Sequence, residues 1–161
     1  MVLRFFFFAF LLGCADIERD NPQDPSNVDG KAYSITVRNG IRWTGNMNHK
    51  VSGSKCYGDE PSNCDTYGRL YSYGMAKDVC PGTWRLPTKA ECLALPYSFF
   101  SNQMGGQYEP MYGYLGIGNS SYLWHSDNGV IQVYRSAVDE FSGYDGFYAS
   151  VRCVKDLKED L

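Results

Sequence analysis

The apolar leader at the amino end constrains this chain most, because it sets the compartment in which the later cysteines meet. The run Phe5–Leu12 contains no charged residue and is shorter than the roughly 20 residues that a helix needs to span a bilayer. It fits the apolar region of a secretory signal, and Arg4 supplies the positive start. Export to an oxidising compartment permits disulfides among the cysteines that follow.

The segment Leu11-Leu12-Gly13-Cys14 closes this leader and resembles the lipobox of bacterial lipoproteins. The resemblance implies cleavage of a signal peptide over residues 1–13 and acylation of Cys14. Acyl chains, at about 0.8 kcal/mol per buried CH₂, would hold the chain at a lipid bilayer without a spanning helix. We expect an exported lipoprotein at the outer membrane or cell surface rather than the inner membrane. Two alternatives remain. The segment is an ordinary signal peptide with an incidental cysteine, or it is a buried first strand of the fold.

Residues 14–27 are predicted to form the lipidated cysteine and a disordered tether. Ile17 is the one strongly apolar residue in DIERDNPQDPSN, and Pro22 and Pro25 stiffen it. Such a segment buries too little apolar surface to fold, and proline-rich chain extends by about 3.1 Å per residue. The folded domain is predicted over residues 28–161, which is enough chain for one hydrophobic core.

The composition argues against a nucleic-acid partner. The chain has 15 Lys and Arg against 18 Asp and Glu, and the basic residues do not cluster. Aromatic residues reach 16%, with 13 tyrosines, and the 17 glycines fall mostly between short apolar runs. This composition favours a turn-rich, strand-heavy α+β domain with little helix.

Strand patterns occur at both ends of this domain. Ala32–Val37 alternates, Asn39-Gly40 is typical of a tight hairpin turn, and Ile41–Thr44 forms the returning strand. Tyr122–Ser126 and Val130–Ser136 flank a second turn of hairpin chemistry at 127–129. A last strand is predicted over Phe147–Val154, with one apolar face made of Phe147, Ala149, Val151 and Cys153.

Helix signals are confined to the middle of the chain. Gly45–Gly68 is interpreted as a polar loop because its residues are mostly turn formers. A short helix is predicted over Tyr71–Val79, stopped by Pro81-Gly82. The capping box Thr88–Glu91 predicts a second helix that runs to about Leu95.

Five cysteines follow the leader, and their spacing alone does not select a pairing. Cys80 ends the first helix on its apolar face and Cys153 faces inward on the last strand, so we expect these two to pair. The chain-entropy model gives a closure of that length about 4 kcal/mol. A Cys56–Cys64 bridge would stiffen the polar loop. Cys92 is left over and is interpreted as a buried small hydrophobe in preference to a reactive thiol.

The run CYGDEPSNCDTYGRLYSYGMAKDVCPGTWRLPTKAEC resembles the signature of the Fibrobacter succinogenes major paralogous domain family, as do NGIRWTGNMN, YLWHSD and SVRCVKD. The resemblance covers about residues 30–156. It implies a fold similar to C-type lectin-like domains and formylglycine-generating enzymes: two short helices on a small, mostly antiparallel twisted sheet with long loops. It also implies a surface lipoprotein, and the Cys80–Cys153 bridge is typical of that fold. The family usually has a large aromatic residue at position 92.

Catalytic and metal chemistry have weak support in the sequence. Glu109-Pro110-Met111 and Trp124-His125-Ser126-Asp127 resemble the calcium-binding stretches of sugar-binding C-type lectins, but Met111 and His125 each remove an oxygen ligand. Asp59, Glu60 and Asp65 are interpreted as a solvated loop rather than a cation site. The sequence has no CxxC motif for redox catalysis and no zinc-ligand spacing. It also has no Gly-x-Ser-x-Gly motif, so neither His49 nor His125 has the nucleophilic serine that a hydrolase would place beside it. We therefore expect no enzyme activity, no metal and no cofactor.

A binding surface is the remaining prediction, although aromatic residues also fill sheets. The candidate ligand-binding residues crowd a glycine-rich region and are Tyr108, Tyr112, Tyr114, Tyr122 and Trp124. Flat amphipathic rings stack on sugars or peptides at low entropic cost. We expect non-enzymatic binding of a plant-wall or cell-surface glycan. The alternatives are a structural or protein-interaction scaffold with a surface protein as partner, and a degenerate relative of a formylglycine-generating enzyme.

Overall fold

The computed structural model describes residues 31–157. The predictions for the signal peptide 1–13, for lipidation at Cys14 and for the tether over 14–27 lie outside these residues. The described part is α+β, with four short α-helices and three small antiparallel sheets. None of its helices has the length and apolar character needed to cross a bilayer.

The strands and helices are short, and most strands are joined to the next by a tight turn. The strands are β1 Ile35–Arg38, β2 Ile41–Thr44, β3 Gln107–Glu109, β4 Gly113–Leu115, β5 Ser120–His125, β6 Gly129–Tyr134, β7 Ala137–Phe141 and β8 Val154–Asp156. The α-helices are α1 Pro61–Tyr67, α2 Tyr73–Val79, α3 Lys89–Leu93 and α4 Tyr97–Phe100, and a 3₁₀ turn covers Tyr57–Asp59. The sheets have the strand orders β1-β2-β8, β3-β4 and β5-β6-β7.

Both predicted hairpins form at the predicted turns. Asn39 and Gly40 have φ values of 53° and 75°, as a two-residue turn with two positive φ angles requires. This turn sets Ile35 opposite Thr44 between β1 and β2. Asn128 also has positive φ, 60°, in the turn that pairs β5 with β6. The strand β7, which the sequence analysis did not predict, continues this second hairpin into a three-stranded sheet.

The helix count differs from the expected two. The predicted helices are present as α2 and α3, and the capping box at the start of α3 is complete, with Thr88 Oγ1 accepting from Glu91 N at 3.2 Å. The interpretation of Gly45–Gly68 as a polar loop is wrong, because it contains the 3₁₀ turn and α1. Pro61 occupies the first turn of α1, where proline stabilises a helix rather than a loop. After Pro96 the chain turns again as α4, which was not predicted.

The last predicted strand is buried as expected on one face, but it is not a regular strand throughout. Its four predicted inward residues are at most 1% exposed. It pairs through single bridges at Tyr148, Ala149 and Ser150 and becomes regular only in β8. Ser150 and Arg152, on the other face, are buried as well, because the segment runs through the interior and is covered from both sides.

Two disulfides connect the elements, and both have the predicted pairing. Cys56 and Cys64 are bridged across the 3₁₀ turn and α1, and Cys80 and Cys153 join the end of α2 to the last segment. Cys92 is unbridged and buried, as predicted. It packs in the second of two apolar clusters, whose buried members are Trp43, Cys92, Leu95, Phe100, Met104, Leu123, Ile131, Val133 and Val154.

Candidate functional site

The structure separates the five predicted binding rings into core and surface. Tyr122 and Trp124 are 8% and 2% exposed, so their assignment to a ligand-binding surface is wrong. Trp124 Nε1 donates a hydrogen bond to the Tyr71 carbonyl oxygen at 2.7 Å, and Tyr122 accepts one from Gln132 at 2.7 Å. Both rings lie on β5, every residue of which is buried; they pack in the first apolar cluster.

The other three predicted rings lie on the β3–β4 hairpin. Tyr108 and Tyr114 face each other across the two strands, with ring centroids 4.9 Å apart, and both are half-buried. Tyr112 lies in the turn of the hairpin and is 68% exposed. The hairpin therefore presents three of the five rings to solvent in full or in part.

Two tyrosines that were not predicted extend this pair into a row. Tyr148 forms a backbone bridge with Tyr108, and their rings contact at 5.5 Å. Tyr57 contacts Tyr114 from the opposite side at 5.2 Å. We call the four half-buried rings Tyr57, Tyr114, Tyr108 and Tyr148 the tyrosine row. The spacing of Tyr108 and Tyr114 follows from cross-strand geometry, because neighbouring strands are about 4.8 Å apart.

Lys55 holds two members of the tyrosine row through cation–π contacts. Its Nζ lies 4.5 Å from the centroid of Tyr108 and 5.1 Å from that of Tyr148. The Lys55 backbone is fixed in turn, because it exchanges two hydrogen bonds of 2.9 Å with Leu70. An ammonium within about 6 Å of a ring is attracted to its face, so Lys55 restrains the rings' orientation.

The Cys56–Cys64 bridge fixes the other end of the tyrosine row. Tyr57 follows directly after Cys56, and the Tyr114 hydroxyl donates to Asp59 Oδ1 at 2.6 Å. Burial, followed by this hydrogen bond to a carboxylate, raises the pKa of Tyr114 above its usual range. Tyr114 is therefore a neutral hydrogen-bond donor at physiological pH, and the disulfide loop and the hairpin are joined.

This arrangement can stack on a ligand and hydrogen-bond its edges. Aromatic rings in fixed orientation provide contact area at little entropic cost, and phenol hydroxyls add polar contacts. The neighbouring turn exposes further apolar surface, since Met111 is 80% exposed. The predicted Cys56–Cys64 loop was the sequence signal that pointed toward Tyr57, whereas the bridge that brings Tyr148 to Tyr108 is visible only in the structure.

The carboxylates considered as cation ligands, Glu109 of the lectin-like motif and the loop acids Asp59 and Asp65, are engaged in other contacts. Glu109 accepts hydrogen bonds from the Tyr144 hydroxyl and from Gln107 Nε2. Asp59 is bound by Tyr114, and Asp65 pairs with Lys31 at 3.1 Å. Within residues 31–157, no three His, Cys, Asp or Glu side chains converge as metal ligands would.

Cys92 and His125 are both buried, each with a relative exposure of 1%. Burial raises the pKa of the Cys92 thiol to about 12, so it is protonated at physiological pH and is a poor nucleophile. The imidazole of His125 is 1% exposed, and its Nδ1 accepts a hydrogen bond from the Asp127 backbone at 3.2 Å. Burial lowers the pKa of His125.

Comparison with known proteins gives no match for this chain. No family model, no curated protein and no solved structure matches it. The tyrosine row is therefore interpreted from its own contacts.

Proposed function

We propose that this protein is a non-enzymatic, carbohydrate-binding domain of an exported lipoprotein, and that the tyrosine row is its ligand-binding surface. The single observation that carries the proposal is the row itself: four half-buried rings in succession, oriented by Lys55 at one end and by Asp59 at the other. Plant-wall polysaccharide or another surface glycan is the ligand class that we favour.

The chemistry of the row suits a sugar chain. A pyranose has an apolar face that stacks on an aromatic ring and a rim of hydroxyls that exchange hydrogen bonds with phenols and charged groups. The neighbouring rings are tilted to one another by 50° to 89°, so they offer aromatic contacts in several orientations to a chain of repeating sugars. Side chains that are already restrained lose little further entropy when a ligand binds.

A protein-interaction scaffold at the cell surface is the second candidate. The tip of the β3–β4 hairpin supports it, because Met111 and Tyr112 are 80% and 68% exposed. Methionine and tyrosine are both enriched in protein interfaces. In this case the tip of the hairpin, rather than the row, would supply the principal contacts.

We also propose a C-type lectin-like fold and membership of the Fibrobacter succinogenes major paralogous domain family. The motifs of residues 56–92 and 150–156 support this assignment. The α+β composition and the long Cys80–Cys153 bridge are consistent with it.

The proposed anchor is the acylated Cys14, in the outer membrane or at the cell surface. It is supported by the Leu11-Leu12-Gly13-Cys14 motif and by two disulfides, which persist in oxidising compartments. We expect mass spectrometry of the exported protein to find a lipidated amino-terminal Cys14. An unmodified Cys14, or cleavage at another position, would reject the anchor.

Retention on immobilised polysaccharides tests the binding proposal. The chain with its disulfides intact should be retained on at least one plant-wall or cell-surface glycan. Tyr108→Leu removes a ring that contacts two others in the row and should weaken binding by about tenfold, which corresponds to ~1.4 kcal/mol. The matched control is Tyr134→Leu, a partly exposed ring on β6 outside the row, which should bind as wild type does.

Three results would count against the row as a glycan site. They are no retention on any polysaccharide, equal retention of the Tyr108→Leu variant, and an equal loss in Tyr134→Leu. If Tyr112→Ala instead abolishes capture of a surface protein while Tyr108→Leu does not, the scaffold is the better explanation.

A further inference from the structure

A small polar cavity beside β1 contains two arginines and no carboxylate. It has a volume of about 180 Å³, and its polar lining comes from Ser34, Thr36, Arg38, Ser98, Asn102 and Arg152. We call it the arginine pocket. It lies apart from the tyrosine row, with which it shares no residue, and the proposed carbohydrate function does not depend on it.

Arg152 is a buried cation whose partners in the described chain are all neutral. Its side chain is 3% exposed. Nε donates to Asn46 Oδ1 at 2.8 Å, and Nη1 donates to the Phe99 carbonyl at 3.2 Å. Nη2 donates to the Phe100 carbonyl at 3.5 Å and to Asn102 Oδ1 at 3.2 Å. A guanidinium has five N–H donors, so one N–H of Nη1 remains for a further acceptor.

The buried charge has an electrostatic cost that neutral oxygens offset only in part. Burial lowers the pKa of Arg152 to about 10, which leaves the side chain charged at physiological pH. The rings of Phe99 and Phe100 each lie 5.3 Å from its guanidinium carbon and provide some cation–π stabilisation. A buried charge without an opposite partner is strongly destabilising, so an anion at the free N–H would be favourable.

Arg38 brings a second positive charge to the same cavity. It shares one face of the β1 segment with Ser34 and Thr36, because alternate residues of a strand point the same way. Its Nη1 donates to the Val37 carbonyl at 2.9 Å. Within residues 31–157, the ion pairs involve other cations, and none joins Arg38 or Arg152 to a carboxylate.

We infer that the arginine pocket binds a small oxyanion, namely a carboxylate, sulfate or phosphate group. Guanidinium groups match the geometry of such oxygens, and charge-assisted hydrogen bonds are about twice as strong as neutral ones. The hydroxyls of Ser34, Thr36 and Ser98 provide further donors at the lining. Pockets for whole small molecules are usually about 300 Å³ or more, so the cavity suits a single anionic group better than a complete sugar ring.

The test is calorimetric titration of the full chain, with its disulfides intact, by sodium sulfate, sodium phosphate and sodium acetate. Ionic strength is held constant with sodium chloride, so that non-specific screening does not change. We expect saturable binding of at least one of the three oxyanions. Arg38→Gln should weaken this binding by about tenfold or more, because a charge-assisted hydrogen bond is lost.

The matched control is Arg135→Gln, which makes the same change of charge in the turn after β6. This variant should bind the oxyanion as wild type does. Arg38 is exposed, so its replacement leaves the interior intact. A second variant, Arg152→Lys, keeps the buried positive charge but loses the guanidinium geometry. The proposal is overturned by the absence of saturable binding for all three oxyanions, by undiminished binding in Arg38→Gln, or by an equal loss in Arg135→Gln.

A second titration distinguishes a free ion from an acidic group on a polymer. Short galacturonate oligomers carry the carboxylate on a sugar chain, and neutral glucose oligomers of equal length serve as the comparison. Binding of galacturonate oligomers more tightly than acetate, with the gain lost in Arg38→Gln, assigns the pocket to acidic glycans. If galacturonate oligomers and acetate bind equally tightly, the arginine pocket is assigned to free ions.

Discussion

Individual side chains in this domain have environments that their residue type does not reveal. Tyr108 and Tyr122 are both strand tyrosines, yet the first is half-buried beneath Lys55 and the second is packed against the rings of Phe141 and Phe147. The difference comes from the sheet to which each strand belongs. The β3–β4 pair is a two-stranded hairpin at the surface, whereas β5 is buried along its entire length.

His125 makes the stability of the fold depend on pH. Burial lowers the pKa of its imidazole below the ordinary value of 6.5, while the nearby Asp127 carboxylate opposes this effect. The unfolded chain therefore binds a proton near pH 6.5, whereas the folded chain does so only at lower pH. The stabilising contribution is present above about pH 6.5 and is lost as the pH falls through the lowered pKa.

We expect His125→Gln to reduce the loss of stability between pH 7.5 and pH 5. The measurement is the free energy of unfolding from urea titrations at each pH, compared between the variant and wild type. A His125→Gln variant whose stability changes with pH as steeply as that of wild type would contradict this account.

Elements that depend on neighbouring residues could be predicted from the sequence, and elements that depend on distant contacts could not. Asn39-Gly40 and Thr88–Glu91 determine a turn and a helix start within four residues, and both form as predicted. The disulfides could also be predicted, because a facing argument selects Cys153. By contrast, α1 begins at Pro61 in a segment of turn formers, where the same residues also suit a helix start.

The candidate site could be predicted only in part, because it too depends on contacts between distant residues. The β3–β4 hairpin was not predicted as strands, although its tyrosines were singled out. Tyr148 joins the row because its backbone bridges Tyr108, and Tyr57 joins because the Cys56–Cys64 loop lies beside Tyr114. Alternation in a single sequence cannot distinguish such surface rings from core rings, which explains why Tyr122 and Trp124 were assigned to the wrong group.

At the scale of the whole molecule, the two disulfides constrain very different lengths of chain. Cys56–Cys64 joins residues separated by 8 positions, and Cys80–Cys153 joins residues separated by 73. The short bridge fixes a surface loop that has little core of its own. The long bridge connects the end of α2 to the buried last segment, so it restricts a much longer stretch of the unfolded chain than the short bridge does.

We expect removal of the long bridge to cost more stability than removal of the short one. The chain-entropy model gives about 4 kcal/mol for a closure of the longer length and about 2.5 kcal/mol for the shorter. The comparison is between the double variants Cys80→Ala/Cys153→Ala and Cys56→Ala/Cys64→Ala, in urea unfolding at equal pH. Cys92→Ala, which removes a buried sulfur without a bridge, measures the packing loss alone. A short-bridge variant that is the less stable of the two would contradict the expectation.

The tyrosine row is assembled from three stretches of chain that are far apart in sequence, around positions 57, 108–114 and 148. A molecule lying across the row touches all three, and these contacts are lost together when the domain opens. Ligand binding therefore stabilises the folded domain against opening. At a ligand concentration one hundred times the dissociation constant, the free energy of unfolding rises by about 2.7 kcal/mol. If the proposed ligand saturates this surface, we expect the folded chain to be cleaved more slowly by proteases.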